Sequence, residues 1–249
     1  KCVKAPRVET FQGETLSVKQ IGQLFRLFEG DPIEGIIRIG VIYGLRRSEI
    51  LGLRWQDIDF ETGTLQIRHK VAEVRINGKR QLVRSNDLKT EASRRAFPLS
   101  DDIRQRLERR KAQIEENRAK KRRYRTADAD YVFVDANGKL LSPEYVSDHF
   151  RWRIAHSDLP KIRFHDLRHT CATLLLHEGC SLREIQSYLG HASYLTTTRY
   201  AHIDARSKEH PERILHIPLR CVIIPSSLAI EHNGAPPMPK RLANAVIIL

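Results

Sequence analysis

Three short motifs place Arg, His and Tyr side chains at spacings that suit chemistry on a single bound group. His165 and Arg168 are three residues apart in a segment with a helical pattern, so both lie on one helix face. His191 directly follows a glycine that ends another predicted helix, and Tyr200 comes nine residues later. Arg46 stands two residues after a further glycine helix stop. Together these side chains offer cations, hydrogen-bond donors and a nucleophile.

The charge of the chain indicates which kind of molecule would be bound. The 249 residues include 43 Lys and Arg against 30 Asp and Glu, which gives a formal net charge of +13. An excess of this size indicates a polyanionic partner, and nucleic acid is the predicted one. Residues 104–125 contain eleven basic and three acidic residues, and residues 75–95 contain seven and two. The candidate DNA-binding residues in these blocks are Arg75, Lys79, Arg80, Arg84, Arg94, Arg95, Arg122 and Arg123.

Cleaving a DNA phosphodiester needs three kinds of group. Cations must hold the non-bridging oxygens, a nucleophile must attack in line, and an acid must protonate the departing 5′ oxygen. Arginine suits the first role because its planar fork donates bidentately to phosphate and stays charged. Since the acidic residues form no cluster typical of a two-metal site, the sequence predicts a site without metal or other cofactor.

The elements that must position these residues are mostly helical. Ser17 and Gln20 form a capping box before a helix that reaches Phe28, and Pro32 can start the next helix. Asn77-Gly78 predicts a hairpin turn between strands at 64–76 and 81–88. A third strand is expected at 93–99. A helix is expected after the N-cap Ser100, where Ile103, Leu107 and Ile114 keep helical spacing, and further helices at 143–155, 165–178, 181–189 and 193–205. The predicted fold class is mainly α with a small antiparallel β-sheet (α+β).

Other classes of protein are excluded or disfavoured by composition. No apolar run approaches the roughly 18–20 residues needed to span a bilayer, so no membrane partner is expected. The four cysteines are far apart without a CxxC pair, which disfavours a disulfide framework and a zinc ribbon. We therefore expect a reducing compartment, the cytoplasm.

The motifs resemble, in order and spacing, those of a known family. Gly44-Leu45-Arg46-Arg47-Ser48-Glu49-Ile50, His165-Asp166-Leu167-Arg168-His169, Leu189-Gly190-His191 and Tyr200 are similar to the boxes of the tyrosine recombinase (phage integrase) family. The resemblance covers about residues 15–205. It implies the catalytic fold of that family and a site-specific recombinase that cuts and rejoins DNA without metal or ATP, for a phage or mobile element.

The resemblance also implies a role for each motif residue. Arg46 and Arg168 would clamp the scissile phosphate, and His165 and His191 would donate hydrogen bonds to it. Tyr200 would be the nucleophile that forms a 3′-phosphotyrosyl bond and frees a 5′ hydroxyl, with His165 helping to take its proton. Free tyrosine has a pKa of roughly 10, so it needs an acceptor and nearby cations to attack near neutral pH.

Two further residues complete the implied site. Lys89 stands where the family has a hairpin lysine and would protonate the 5′ oxygen, although Lys79, Arg80 and Arg84 crowd the same hairpin. Glu49 matches a buried carboxylate that steadies the site.

The resemblance implies an organisation beyond the catalytic residues. Residues 1–14 would be a linker from a missing N-terminal core-binding domain, and residues 15–209 the catalytic domain. Residues 210–249 would be a tail that docks on a neighbouring protomer or is poorly ordered. Five of the eleven prolines lie in its last 32 residues, from Pro218 onward. The expected assembly is a homotetramer on DNA, with accessory DNA-bending proteins left open.

Alternatives remain for the whole chain and for single residues. A type IB topoisomerase shares this catalytic logic, and a non-catalytic DNA-binding relative would keep the basic surface. Arg46 could form an ordinary surface ion pair with Glu49. His165 and His169 could be metal ligands, but no Glu stands between them as in HExxH and the sequence offers no obvious third ligand.

Overall fold

The computed structural model describes residues 14–86, 95–191 and 197. Its helices are α1 (Val18–Leu27), α2 (Glu34–Ile42), α3 (Arg47–Leu51), α4 (Asp101–Lys120), α5 (Pro143–Ala155), α6 (Asp166–His177) and α7 (Leu182–Leu189). Its strands are β1 (Ile58–Asp59), β2 (Thr64–Ile67), β3 (Lys70–Ile76), β4 (Lys79–Ser85) and β5 (Arg95–Pro98), with a 3₁₀ turn at Trp55–Asp57. The predicted mainly helical α+β class is confirmed. Residues 1–13 of the expected linker at 1–14, the expected helix at 193–205 apart from Thr197, and the tail at 210–249 lie outside the described residues.

Serine residues start most of the longer helices, as the sequence predicts. Ser17 accepts a hydrogen bond from the Gln20 N–H, and the Gln20 side chain accepts one from the Ser17 N–H, so the predicted capping box is confirmed. The N-terminus of α7 repeats the arrangement with Ser181 and Glu184. Because the first N–H groups of a helix have no partner inside it, these side chains fix where each helix begins.

The β structure differs from the prediction of one small sheet. A three-stranded antiparallel sheet has the order β1-β2-β5, and the hairpin β3-β4 forms a separate two-stranded sheet. The predicted third strand pairs with β2, where Leu65 faces Phe97, and not with the hairpin. The hairpin turn itself is confirmed, since Asn77 and Gly78 both have positive φ, at 51° and 75°.

The sheet divides because the predicted strand at 64–76 is interrupted at Arg68–His69. His69 is buried, and its ring nitrogens lie 2.7 Å from the side-chain oxygen of Asn86 and 3.0 Å from the Tyr131 hydroxyl. The Arg54 guanidinium lies 2.7 Å from the same ring. A buried polar ring must satisfy its hydrogen bonds, so His69 turns inward and breaks the strand.

The core surrounds α2, whose buried side chains include Ile36, Ile37, Ile39 and Val41. This helix contacts α1, α3, α4 and α6. A second, smaller apolar cluster lies between α6 and α7 and consists of Cys171, Ala172, Leu175, Leu176, Cys180, Ile185 and Leu189. It fixes the end of α7 against α6. Within the described residues, no helix is both long and apolar enough to cross a membrane.

Candidate active site

A tight turn at Gly44 brings the first motif against the last helices. Gly44 has φ +60°, and a Cβ atom placed on it would lie 2.4 Å from Leu189 Cδ2 and 3.0 Å from Cys171 Sγ. Only glycine combines this conformation with such close packing. Arg46 follows at the start of α3, so the turn delivers its side chain to the C-terminal end of α7.

Three arginines converge on the C-terminal end of α7. Each donates to one of three consecutive main-chain carbonyls: Arg95 Nη1 to Tyr188 O (3.0 Å), Arg168 Nη2 to Leu189 O (2.7 Å) and Arg46 Nη2 to Gly190 O (3.1 Å). The last carbonyls of a helix lack partners inside it and carry partial negative charge, so cations stabilise them. We call Arg46, Arg95 and Arg168 the arginine cluster. The three acceptor carbonyls belong to the residues that directly precede His191 in the chain.

Glu49 is the shared counter-ion of two members of this cluster. Its Oε1 accepts from Arg46 Nη1 at 2.7 Å, and its Oε2 accepts from Arg95 Nη2 at 2.8 Å and from the Arg46 main-chain N–H at 2.9 Å. Burial by itself raises the pKa of Glu49, but Arg95 and Arg46 outweigh it and hold the pKa below its ordinary value. Glu49, Arg46 and Arg95 therefore form an ionised network around a buried carboxylate. The contact between Arg46 and Glu49 is not an ordinary surface ion pair.

Arg168 is as deeply buried as Glu49. It is 3% exposed, and its Nη1 donates to Gly44 O at 2.7 Å in addition to the bond with Leu189. Burial, and then the charges of the other two cluster members, lower the pKa of Arg168 to about 9. Arg168 thus stays protonated at neutral pH. The side chain of Arg46, by contrast, is 37% exposed and is the open member of the cluster.

His191 lies beside the cluster in a fixed orientation. It is 7% exposed, its Nδ1 lies 2.9 Å from Thr197 Oγ1, and its main-chain N–H donates to Gln186 O at 3.0 Å. Burial, and then the charges of the arginine cluster, lower the pKa of His191 to about 3. The imidazole is therefore neutral near pH 7 and can donate a hydrogen bond without adding charge.

His165 stands at the N-terminal end of α6, at an exposed position. Its ring packs edge-on to that of His169, with centroids 5.3 Å apart. Burial, and then the His169 and Arg168 charges, lower the pKa of His165 to about 4. Because part of the ring is open to water, solvent weakens these charge effects in solution. Among the residues that the structure describes, no group of three His, Cys, Asp or Glu side chains is arranged to hold a metal ion.

The buried state of His191 predicts a dependence of stability on pH. The pKa of His191 is about 3 in the folded chain and near 6.5 in an unfolded one, so between these values the unfolded state binds more protons. Stability then falls as the pH drops below 6.5. We expect the loss of unfolding free energy between pH 7 and pH 5 to be about 2 kcal/mol smaller in His191→Gln than in the wild type. Urea unfolding at both pH values measures it.

The control for this prediction is His156→Gln, at an exposed position near the end of α5. It should show the same loss of unfolding free energy between the two pH values as the wild type. An unchanged loss in His191→Gln would contradict the prediction.

Most of the other predicted residues are exposed, and others lie outside the described residues. Arg75, Lys79, Arg80 and Arg84 lie on the exposed hairpin, and Arg122 and Arg123 are exposed just after α4. Arg80 forms ion pairs with Glu73 and Glu144, and Arg84 pairs with Asp128 at 2.7 Å. Lys89, Arg94 and Tyr200 lie outside the described residues.

Arg95 is a correction to the predicted DNA-binding surface. Its side chain is 7% exposed and points into the arginine cluster. The alternation of side chains along a strand indicates this inward orientation. Arg95 lies two residues before the buried Phe97 and therefore shares its face of β5. The sequence prediction also missed Thr197, the hydroxyl partner of His191.

Comparisons with known proteins show what the chain is similar to. The sequence model described as "Phage integrase family" matches residues 14–207. The chain is 30% identical over 221 residues to the tyrosine recombinase XerA of Pyrococcus furiosus, covering 85% of this chain and 65% of that protein. It is 26% identical over 217 residues to a tyrosine recombinase XerC-like protein of Caldanaerobacter subterraneus, covering 84% and 55%. The chain thus spans little more than half to two thirds of the length of these relatives.

A solved structure has the same fold. The Tn1549 transposon integrase, in a complex with transposon right end DNA, superposes with a TM-score of 0.63 at 23% identity, covering 82% of this chain and 68% of that one. The sequence match extends over most of the chain, and the described helices and strands have the arrangement found in that integrase. The chain belongs to the phage integrase family of tyrosine recombinases.

Proposed function

We propose that this chain carries the DNA-cleaving part of a site-specific recombinase, which cuts and rejoins double-stranded DNA through a 3′-phosphotyrosyl bond at Tyr200. The observation that carries the proposal is the convergence of Arg46, Arg168 and His191 at the end of α7. Two permanent cations and a neutral hydrogen-bond donor in one place suit a phosphate whose negative charge grows during attack.

The arginines retain donors for that phosphate. A guanidinium has five N–H groups. Arg46 uses its Nη1 on Glu49 and its Nη2 on Gly190, and Arg168 uses its two Nη atoms on Gly44 and Leu189. The remaining N–H groups can donate to the two non-bridging oxygens while the carbonyl bonds keep both side chains in place. Such preorganised donors act without rearrangement during the reaction.

In the proposed reaction the Tyr200 oxygen attacks the phosphorus and the bond to the 5′ oxygen breaks. His165 helps to accept the tyrosine proton, and Lys89 gives a proton to the departing 5′ oxygen. Rejoining is the reverse, since a 5′ hydroxyl attacks the phosphotyrosine and the tyrosine leaves. Because the covalent link conserves the energy of the broken bond, neither ATP nor a metal ion is required.

The position of Thr197 supports Tyr200 as the nucleophile. Thr197 contacts His191, and Tyr200 follows three residues later in the sequence. Three residues of chain span at most about 11 Å, so Tyr200 is tethered within reach of the site.

The proposal extends to the assembly. A lambda integrase of similar fold (TM-score 0.55, 18% identity) is described as a tetramer bound to a Holliday junction. By analogy we include a homotetramer on DNA, with residues 1–14 as a linker from a core-binding domain, residues 15–209 as the catalytic domain and residues 210–249 docking on a neighbour. The Tn1549 integrase supports a role in integration or excision of a mobile element, on bacterial nucleoid DNA in the cytoplasm, with or without DNA-bending proteins.

A nicked duplex tests the proposal. Its sequence is taken from the DNA flanking the gene, with the nick placed so that cleavage releases a short strand and traps the covalent complex. We expect a denaturation-resistant adduct with the wild-type chain and none with Tyr200→Phe. Tyr145→Phe, at an exposed position of α5, is the matched control and should form the adduct. An adduct that survives in Tyr200→Phe, or no adduct with any flanking site, would overturn the proposal, and relaxation of any supercoiled plasmid would indicate a topoisomerase.

A further inference from the structure

Arg95 holds together two parts of the site without being open to DNA. It lies at the start of β5, where Ile67 of β2 is its partner across the sheet. One Nη atom donates to Glu49 and the other to Tyr188 O, at 2.8 and 3.0 Å, and the guanidinium lies 5.6 Å from the centre of the Phe97 ring. Arg95 therefore bridges the α3 carboxylate and the end of α7.

We propose that Arg95 is a positioning residue for DNA strand cleavage, which fixes Glu49 and the end of α7 so that Arg46 and His191 face the same phosphate. The inference rests on the proposed function and deepens it. It assigns to Arg95 an action through its neighbours. Its two Nη atoms donate to Glu49 and Tyr188 O and its Nε is buried, whereas the 37% exposed Arg46 is the open member of the cluster.

The sharing of Glu49 explains how Arg95 would act. Arg46 holds one carboxylate oxygen with its side chain, and Arg95 holds the other. If Arg95 is removed, the second oxygen keeps only the main-chain N–H of Arg46. A buried carboxylate oxygen that has lost its donor attracts the nearest guanidinium. The Arg46 guanidinium would therefore rotate to bind both Glu49 oxygens and would move away from the phosphate.

The surroundings of Arg95 make it a poor choice for stability alone. Its Nε is buried with no hydrogen-bond partner in the part of the chain that the structure describes. A buried donor without an acceptor costs free energy, and a buried ion pair is often replaced by apolar side chains without loss of stability. A geometric role in the reaction accounts for a buried cation at this position.

Arg110 offers a matched control. It is also a partly buried arginine that donates to two main-chain carbonyls, from Nε to Val132 O and from Nη2 to Val134 O, both at 2.7 Å. Its guanidinium lies 5.1 Å from the centre of the Phe133 ring. Arg110 thus resembles Arg95 in making two side-chain hydrogen bonds beside an aromatic ring, but both of its acceptors are main-chain carbonyls away from Glu49 and α7.

The test measures the rate of adduct formation at saturating nicked DNA, and the dissociation constant for that DNA, for the full 249-residue chain. We expect Arg95→Gln to slow adduct formation by about 10- to 100-fold with a dissociation constant within about twofold of the wild type. Arg110→Gln should leave the rate within about twofold. Arg95→Lys should give an intermediate rate, because one ammonium keeps the charge but cannot bridge both acceptors.

A double substitution separates positioning from a general structural effect. If Arg95 acts through Glu49, then Arg95→Gln should cost no more than about threefold in a Glu49→Gln background. A wild-type rate in Arg95→Gln, weakened DNA binding with an unchanged rate, or fully additive losses would each overturn the inference. If Arg95→Gln fails to fold, as judged by circular dichroism, Arg95→Lys decides. An absent adduct with the wild type rejects the proposed function itself, and the inference falls with it.

Discussion

Arg168→Lys should slow the formation of the Tyr200–DNA adduct by at least about 100-fold at saturating DNA, the largest loss that we expect from a substitution that keeps the charge. Arg168 donates to Gly44 O and Leu189 O at 2.7 Å each and has N–H groups left for a phosphate. The lysine ammonium is a single point charge on a flexible chain. It cannot donate hydrogen bonds to both carbonyls, as the planar guanidinium does, and bind the phosphate as well. The buried carbonyls would lose partners, and the phosphate would lose its bidentate donor.

Single-turnover cleavage of the nicked duplex measures this effect. The control is Arg151→Lys, which makes the same chemical change at a side chain that is exposed on α5 and pairs with Asp148. It should stay within about threefold of the wild-type rate at saturating DNA. If Arg168→Lys cleaves as fast as Arg151→Lys, then Arg168 has no part in binding the scissile phosphate.

Gly44→Ala should lower the unfolding free energy by about 3 kcal/mol, the largest effect on stability that we expect. Two costs add at this position. A side chain at φ +60° is strained, and the new Cβ would lie 2.4 Å from Leu189 Cδ2. Since Leu189 ends α7, any relief of the clash also moves the carbonyls that hold the arginine cluster. The variant should therefore also lose cleavage activity.

Gly30→Ala is the matched control because Gly30 has φ +71° but nothing within 4 Å of its Cβ position. It carries the conformational cost alone, and we expect a loss of about 1 kcal/mol with normal cleavage activity. Urea unfolding of both variants isolates the contribution of the clash. Equal losses in the two variants would show that the Gly44 turn does not pack as tightly against α7 as the structure has it.

Local signals in the sequence predicted the local structure well. The capping box at Ser17 and the turn at Asn77-Gly78 depend on neighbouring residues only, and both predictions are confirmed. The interruption at His69 was not predictable in this way. It depends on Asn86 and Tyr131, which are 17 and 62 positions away in the chain.

The candidate site was predictable where side-chain types recur in motifs and not where main-chain atoms contribute. The motifs located Arg46, His165, Arg168 and His191, and the structure brings Arg46, Arg168 and His191 together at the end of α7. The carbonyls at the end of α7 have no signature in the sequence, so the network that holds the arginines could not be foreseen. Arg95 belongs to a basic run, which predicts an exposed position on the DNA-binding surface. The alternation of the strand predicts instead that its side chain points inward, as the structure has it.

The hydrogen bond from Arg46 to the Gly190 carbonyl also sets the earliest point during synthesis at which the site can form. The two residues are 144 positions apart, and Arg168 and Gly44 are 124 apart. At a translation rate of about 5–20 residues per second, roughly 7–30 s separate the emergence of Arg46 from that of its acceptor. A nascent or prematurely terminated chain has the first arginine and its carboxylate but no anchor for them. With the function proposed above, the chain would gain the ability to cut DNA only after synthesis has passed Gly190.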